Sequence, residues 1–447
     1  MNNRIDLASV LDDTRLNGFH WRIVALGALM MMLDGYDVSI LGQALPALAS
    51  AWHQDPAVFR WALSASLIGM GFGSLIAGIP GDRVGRRVTL VSMFVLGSLA
   101  CLGTVLADSI AVLIACRLVV GIGMGGAIPN IISLVSEVMP VRCRTLMVVL
   151  VLSGAALGSG FGSLLAAQII PAFGWQSVFL VGGAVPLLVA TVVWFALPES
   201  PAFLIAKGRH PDASASVLRL NPDFPPQDVD RLVLTEPPIG EKGGVRALFS
   251  PDRALSTALL WTLFICDKGI VFFLASWFST LLTRADFSLE IALNTTALLD
   301  FGALVGGMMA ASLASRFSLE RVLTVTYLTT ACCIFSLGYV THSHALTMGM
   351  TFATGFTLIG SSFCLGALAA SYYPTEVRAT GVGWCLGFGR VGSIISPILG
   401  GLALAAGWTN RDLFGVSAIP AVVACLAVFL LSIHGRRVTV SLAAMTH

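Results

Sequence analysis

Long apolar runs, each closed by charge or by proline and glycine, divide the chain into twelve candidate spanning helices. The first six fall at about 22–45, 59–81, 88–108, 111–137, 145–170 and 175–197, and the second six at about 254–282, 291–314, 320–340, 344–370, 379–406 and 412–433. Between the sets lies a polar segment, 198–253, with Arg209, Pro211, Pro222, Pro225, Pro226, Pro237 and Pro238. The pattern predicts an all-α membrane protein with a tail over 1–21, a six-helix bundle over 22–197, a central loop over 198–253, a second six-helix bundle over 254–433 and a tail over 434–447. Within the loop, Leu204–Leu220 can form a short surface helix, although the prolines beyond it and its mixed charges suggest a cytoplasmic bridge between the halves.

Polar positions inside the apolar runs need a separate explanation. The first span, Ile23 to Leu45, carries Asp34 and Asp37 near its middle. A carboxylate at the centre of a bilayer costs on the order of 3 kcal/mol on insertion scales. Three residues apart, the two acids share one helical face, which must line a polar cavity or meet cations rather than lipid. Arg117, Asp267, Lys268, Asp300 and Arg390 also fall within spans. At about 1.5 Å per residue, Asp34, Asp37 and Arg390 lie roughly 18, 22 and 16 Å along their helices, so buried charge from both halves is expected in a central layer.

Composition agrees with this class, at 56% hydrophobic and 11% charged over 447 residues, against roughly 25% charged in a soluble domain. The net charge is +2 and the basic residues are dispersed, so no stripe is offered to nucleic acid. With both termini cytoplasmic, only Arg60, Arg284 and Arg411 of the 26 basic residues lie outside, and Arg117, Lys268 and Arg390 lie within spans. The positive-inside rule favours that orientation. The first 20 residues lack an apolar signal region, so insertion is expected to begin with the first span. Seven histidines and nine cysteines form no metal-ligand spacing, and no metal or organic cofactor is expected.

The halves echo each other. Pro140 and Arg144 repeat as Pro374 and Arg378 at an offset of 234, which also pairs Gly158 with Gly392. A duplicated six-helix unit is the usual basis of alternating access.

Several motifs add a family likeness. GIPGDRVGRR (Gly78–Arg87), RLVVGIGMGGAIPN (Arg117–Asn130), EVMPVRCR (Glu137–Arg144) and LPESPAFL (Leu197–Leu204) resemble signature segments of the major facilitator superfamily. DGYD (Asp34–Asp37) with YPTEVRATGVGWCLGFGRVGS (Tyr373–Ser393) resembles, more narrowly, its aromatic acid:proton symporters, and the likeness covers nearly the whole chain. It implies two pseudo-symmetric bundles and a secondary transporter, not an enzyme. Its expected cargo is a small aromatic carboxylate of the benzoate, hydroxybenzoate, protocatechuate, gentisate or hydroxyphenylpropionate type. The proton is the implied coupling ion, and the implied setting is a bacterial inner membrane, with the chain working as a monomer among lipids. The resemblance also suggests an inner gate in which Asp82, Glu137 and Arg144 exchange ion pairs, near the basic cluster Arg83, Arg86 and Arg87. Arg378 is its second-half echo. The counterpart loop ASRFSLER carries Ser315 and Ser318 where an aspartate and a glycine are common, implying a looser second gate.

Arginine presents a planar fork to a carboxylate and keeps its charge. Arg390 is therefore the first candidate for the substrate, with Arg117 and then Lys268 behind it. Each can instead be permanently paired with an acid, and Asp267 and Asp300 are candidate buried charge partners. Asp34 and Asp37 are the candidates for proton coupling, and spacing does not choose between them because close carboxylates titrate together. An aromatic cargo asks for a ring-lined pocket. Tyr36, Trp261, Phe264, Trp277, Trp384 and Phe388 are possible walls, although lipid contact or helix packing accounts better for most of them, and less so for Trp384 and Phe388. Trp384 and Phe388 stand six and two residues before Arg390. The glycines of Gly121–Gly126 lie inside a span and read as close helix packing, not as a dinucleotide motif. Rival readings are a carrier for shikimate, another organic acid or a sugar, a membrane sensor, and an integral-membrane enzyme. The last lacks a clustered nucleophile and base.

Overall fold

The computed structural model describes residues 5–12, 14–222, 224–225, 232–233, 248–250, 253–314 and 316–445. Among them, twelve helices are long and apolar enough to cross a membrane. They are α1 (Gly18–Ala51), α2 (Arg60–Val84), α3 (Arg86–Val105), α4 (Ile110–Val138), α5 (Val141–Phe173), α6 (Gln176–Ala196), α7 (Ala254–Thr283), α8 (Leu289–Ala314), α9 (Leu319–Val340), α10 (His344–Tyr372), α11 (Thr375–Ala405) and α12 (Asn410–Met445). All twelve predicted spans are present. α1 and α5 overrun the apolar runs that predicted them, at 34 and 33 residues. Backbone hydrogen bonding carries a helix beyond the hydrocarbon thickness, and Pro46 and Pro171 are accommodated within these helices.

The chain forms two compact units. One draws on Met1–Val38, Ala65–Gly158 and Gln176–Pro238, the other on Ser39–Ser64, Ser159–Trp175 and Ile239–His447. In the first, the segment after α6 folds back as two short helices. Pro201–Ala206 begins at a Ser200 cap whose hydroxyl accepts from the Phe203 amide, with proline in the first helical position. Of the two readings of Leu204–Leu220, His210–Leu220 takes the helix, and it buries Ala213, Ser216, Val217 and Leu220, one helical stripe. Asn17 donates to the Arg219 and Leu220 carbonyls at its end, and Ile5–Asp6 pairs in parallel with Leu232–Val233.

Glycine positions set how closely the helices approach. A Cβ on Gly121 or Gly125 of α4 would overlap α2 backbone at Ser66 and Met70, and one on Gly69 or Gly73 of α2 would overlap α4 backbone. In the second unit, Gly306 of α8 and Gly355 of α10 meet each other's helix backbone in the same way. Gly121→Ala is accordingly expected to destabilise the protein by about 3 kcal/mol, since neither backbone can yield. Gly71→Ala, where a Cβ meets nothing within 4 Å, is expected to be neutral. Thermal unfolding of the two variants in detergent separates them.

α10 is not uniform. It widens to a π turn at Gly355–Ile359 and breaks its regular bonding after Ser362. Such departures are frequent at functional positions, and this one presents Ser362 to α7.

Candidate functional site

In the first unit the central feature is a clamp between α1 and α4. The Arg117 guanidinium donates to both Asp37 carboxylate oxygens at 3.0 and 3.1 Å, to the Asp37 carbonyl at 2.9 Å, and through Nε to Ser66 Oγ of α2 at 2.9 Å. Arg117 is 0% exposed and Asp37 2%, and the Phe179 ring lies 5.9 Å from the guanidinium. The glycine-lined approach of α2 and α4 puts Ser66 beside Arg117. Every guanidinium nitrogen is therefore engaged by the protein, and Arg117, an expected substrate ligand, is placed as the counter-charge of Asp37. Tyr36, an expected pocket wall, is buried with its hydroxyl donating to the Val178 carbonyl of α6 at 2.7 Å. Asp34 is buried on the same helix.

The second unit holds a polar knot and an aromatic slab. Asp267 of α7 is fully buried. Its Oδ1 accepts from Tyr327 of α9 at 2.8 Å and from Ser362 of α10 at 2.6 Å, while Lys268 Nζ sits 3.1 Å from Oδ2. The Lys268 side chain is 29% exposed, so the ammonium stands between a buried acid and open space. Its stem passes Gly389 of α11, where a Cβ would come 3.1 Å from Lys268 Cγ. Seven residues earlier on α7, two helical turns and the same face, Trp261 stacks on Phe388 of α11 with centroids 3.9 Å apart and planes 17° apart. Trp384 extends the stack, 5.9 Å from Trp261, and is 41% exposed. The Trp261 indole N–H is buried without an acceptor among the described residues. A flat apolar surface thus lies on the same helix face as a cation. Arg390, half-buried, follows Gly389 on α11.

Other expected residues fall elsewhere. Phe264 and Trp277 are core side chains, and the Trp277 indole donates to the Pro397 carbonyl at 3.1 Å. Asp300 of α8 is buried and accepts from Ser159 of α5 at 2.8 Å. In the same unit Gln43 donates to Ser163 at 2.6 Å, Ser279 to the Gly42 carbonyl at 2.6 Å, and Ser64 to the Ile394 carbonyl at 2.8 Å.

The basic loop between α2 and α3 is organised by two acids. Glu137 pairs with Arg86 at 3.3 Å and accepts a short hydrogen bond from Ser200. Glu199 accepts from the Arg87 amide at 3.0 Å, closing the first turn of α3, and the Arg87 guanidinium donates to the Leu197 carbonyl at 3.3 Å. Gly85, at φ +124°, both takes a conformation L residues avoid and leaves the room that Glu199 fills. Arg83 is exposed. The Asp82 side chain and Ser315 lie outside the described residues. Arg144 turns back on the Met139 carbonyl at 3.4 Å, and Arg378 on the Tyr373 carbonyl at 3.2 Å, the same local bond at the same offset of 234 in the repeat. Glu199, Ser200, Tyr327 and Ser362 were not among the expected site residues. Only the first two had a signal, inside LPESPAFL.

Residues 27–365 and 295–443 match the model of the Major Facilitator Superfamily. The chain is 36% identical over 436 residues to the gallate transporter of Pseudomonas putida, covering 97% of this chain and 96% of that protein. It is 34% identical over 430 residues to the 4-hydroxybenzoate transporter PcaK of Pseudomonas aeruginosa, covering 96% of each. Among solved structures it is similar to a bacterial homolog of the human lysosomal transporter Spinster, with a TM-score of 0.72 at 16% identity over 94% of this chain and 98% of that one, a likeness that shows the fold.

Proposed function

We propose that this chain, which belongs to the major facilitator superfamily and is therefore a multi-pass membrane transporter and not an enzyme, imports small aromatic carboxylates together with protons. The observation that carries this reading is the Trp261–Phe388–Trp384 slab, with the Lys268 ammonium on the same face of α7. A substrate ring gains offset stacking on the slab. Its carboxylate gains a charge-assisted bond to Lys268, with Arg390 of α11 as a second cation. The gallate and 4-hydroxybenzoate transporters named above support the same cargo class. The setting we assign is a bacterial inner membrane with both termini cytoplasmic, as the distribution of lysine and arginine favours, and the monomer is the working unit.

Coupling follows from charge. In a poorly solvated interior an ionised aspartate disfavours a second negative charge, so a proton that neutralises it precedes or accompanies the anion. Asp34 and Asp37 of α1 are the assigned coupling acids, with Arg117 holding Asp37 in place. The site is exposed alternately to the two sides, and proton loss to the cytoplasm releases the cargo.

Uptake of labelled 4-hydroxybenzoate into proteoliposomes with an imposed proton gradient tests the proposal. Accumulation is expected to follow the gradient and to be competed by benzoate, gentisate and protocatechuate, not by shikimate or glucose. Competition by shikimate or glucose alone would overturn the cargo class, and uptake indifferent to the gradient would overturn coupling.

A further inference from the structure

Asp267 presents two unlike oxygens. Oδ1 carries both hydroxyl donors, whereas Oδ2, equally buried, has no aligned hydrogen bond among the described residues and is met only by the Lys268 charge at 3.1 Å. The cation that faces open space is thus neutralised by an acid that does not. An incoming carboxylate would have to share Lys268 with a carboxylate already there, and in a medium of low polarity that repulsion is strong.

Resting on the reading of Lys268 as a receptor for the substrate, we infer that Asp267 is a proton-binding site that switches Lys268 between a self-neutralised pair and an open receptor for a carboxylate. One proton from solution adds to Oδ2 and the Nζ–Oδ2 ion pair breaks. The ammonium keeps its three protons and turns to the substrate. Tyr327 and Ser362 continue to donate to Oδ1, which is the carbonyl oxygen of the neutral acid. One proton and one carboxylate enter together, so the charge at the site is unchanged, and their departure restores the pair.

The neighbours leave this role to Asp267. On α7 they are Cys266 and Lys268, on α9 Tyr327, on α10 Ser362 and Cys364, and α11 contributes Arg390 next to the Gly389 that packs on the Lys268 stem. Thiols and phenols stay neutral through the physiological range and arginine stays charged.

The test is calorimetric titration of the full chain with 4-hydroxybenzoate in two buffers of different ionisation enthalpy. Wild type is expected to take up about one proton per ligand bound through this site. Asp267→Asn, whose amide stands for the protonated acid, takes up none there, and at mildly alkaline pH it binds about tenfold more tightly than wild type, a gain that damaged protein does not give. Tyr327→Phe keeps both charges and displaces the pH midpoint of binding by about one unit, the worth of a hydrogen bond to a charged group. Proton uptake per bound ligand that is undiminished in Asp267→Asn would overturn the switch, as would an unmoved midpoint in Tyr327→Phe. Either result leaves carboxylate import standing, whereas failure of the wild type to bind 4-hydroxybenzoate would overturn the proposed function itself.

Discussion

Arg117→Gln is expected to destabilise the protein by about 3–5 kcal/mol, the usual cost of stranding one member of a buried ion pair. Asp37, 2% exposed, accepts two guanidinium hydrogen bonds that glutamine cannot reproduce, and no water reaches it in compensation. Asp37→Asn is expected to be costly for the mirror reason, since it leaves a guanidinium that cannot discharge. The double variant Asp37→Asn with Arg117→Gln removes both charges and is expected to recover most of the loss, because a buried pair gives little net stability over neutral groups of similar size. Unfolding in detergent, analysed as a double-mutant cycle, measures this. A coupling energy under about 0.5 kcal/mol would mean that the two residues behave as independent sites. Proton-driven uptake is expected to stay absent in the refolded double variant, which separates the clamp's structural part from its part in coupling.

Lys268→Gln is expected to weaken binding of 4-hydroxybenzoate by about 30- to 150-fold, because a hydrogen bond to a charged group contributes about 2–3 kcal/mol. The neutral analogue 4-hydroxybenzamide keeps the ring and loses the carboxylate, so its affinity is expected to change by no more than about twofold. Lys268→Arg keeps the charge but not the shape, and it is expected to fall between the two. Direct binding measurements on the three proteins with both ligands read the carboxylate contribution separately from ring stacking. Equal losses for acid and amide would show that Lys268 supports the slab rather than the anion. Tyr327 and Ser362 donate to Asp267 independently of Lys268, and thermal unfolding of each variant reads the cost of removing the cation from this buried acid separately from the loss of binding.

Much of the site was legible one residue at a time, but its pairing was not. Asp37, Arg117, Asp267 and Lys268 all stand out as charges inside apolar runs. Which of them face protein and which face open space depends on helix rotation. Arg117 has the chemistry of a substrate ligand, yet α4 turns it onto Asp37. Lys268 had a ready alternative in its neighbour Asp267, yet its ammonium also reaches open space beside the slab. Trp384 and Phe388 were singled out by their spacing from Arg390, and the ring that completes their stack, Trp261, comes from another helix more than a hundred residues earlier. Tyr327 and Ser362 sit in stretches crowded with hydroxyls, and nothing in those stretches distinguishes them from ordinary helix-packing residues.

The sequence by itself determined the twelve spans and the class of protein, and it carries a repeated motif in its two halves. Each of these is read from a window of about twenty residues or from a repeated local motif, and the Arg144 and Arg378 back-bonds show how faithfully such motifs repeat. Only the tertiary structure decided which charge meets which, that α10 breaks where Ser362 reaches Asp267, and that Glu199 fills the space beside Gly85. Those outcomes depend on how closely and at what rotation helices cross. Glycines distant in sequence set both, by letting backbone meet backbone.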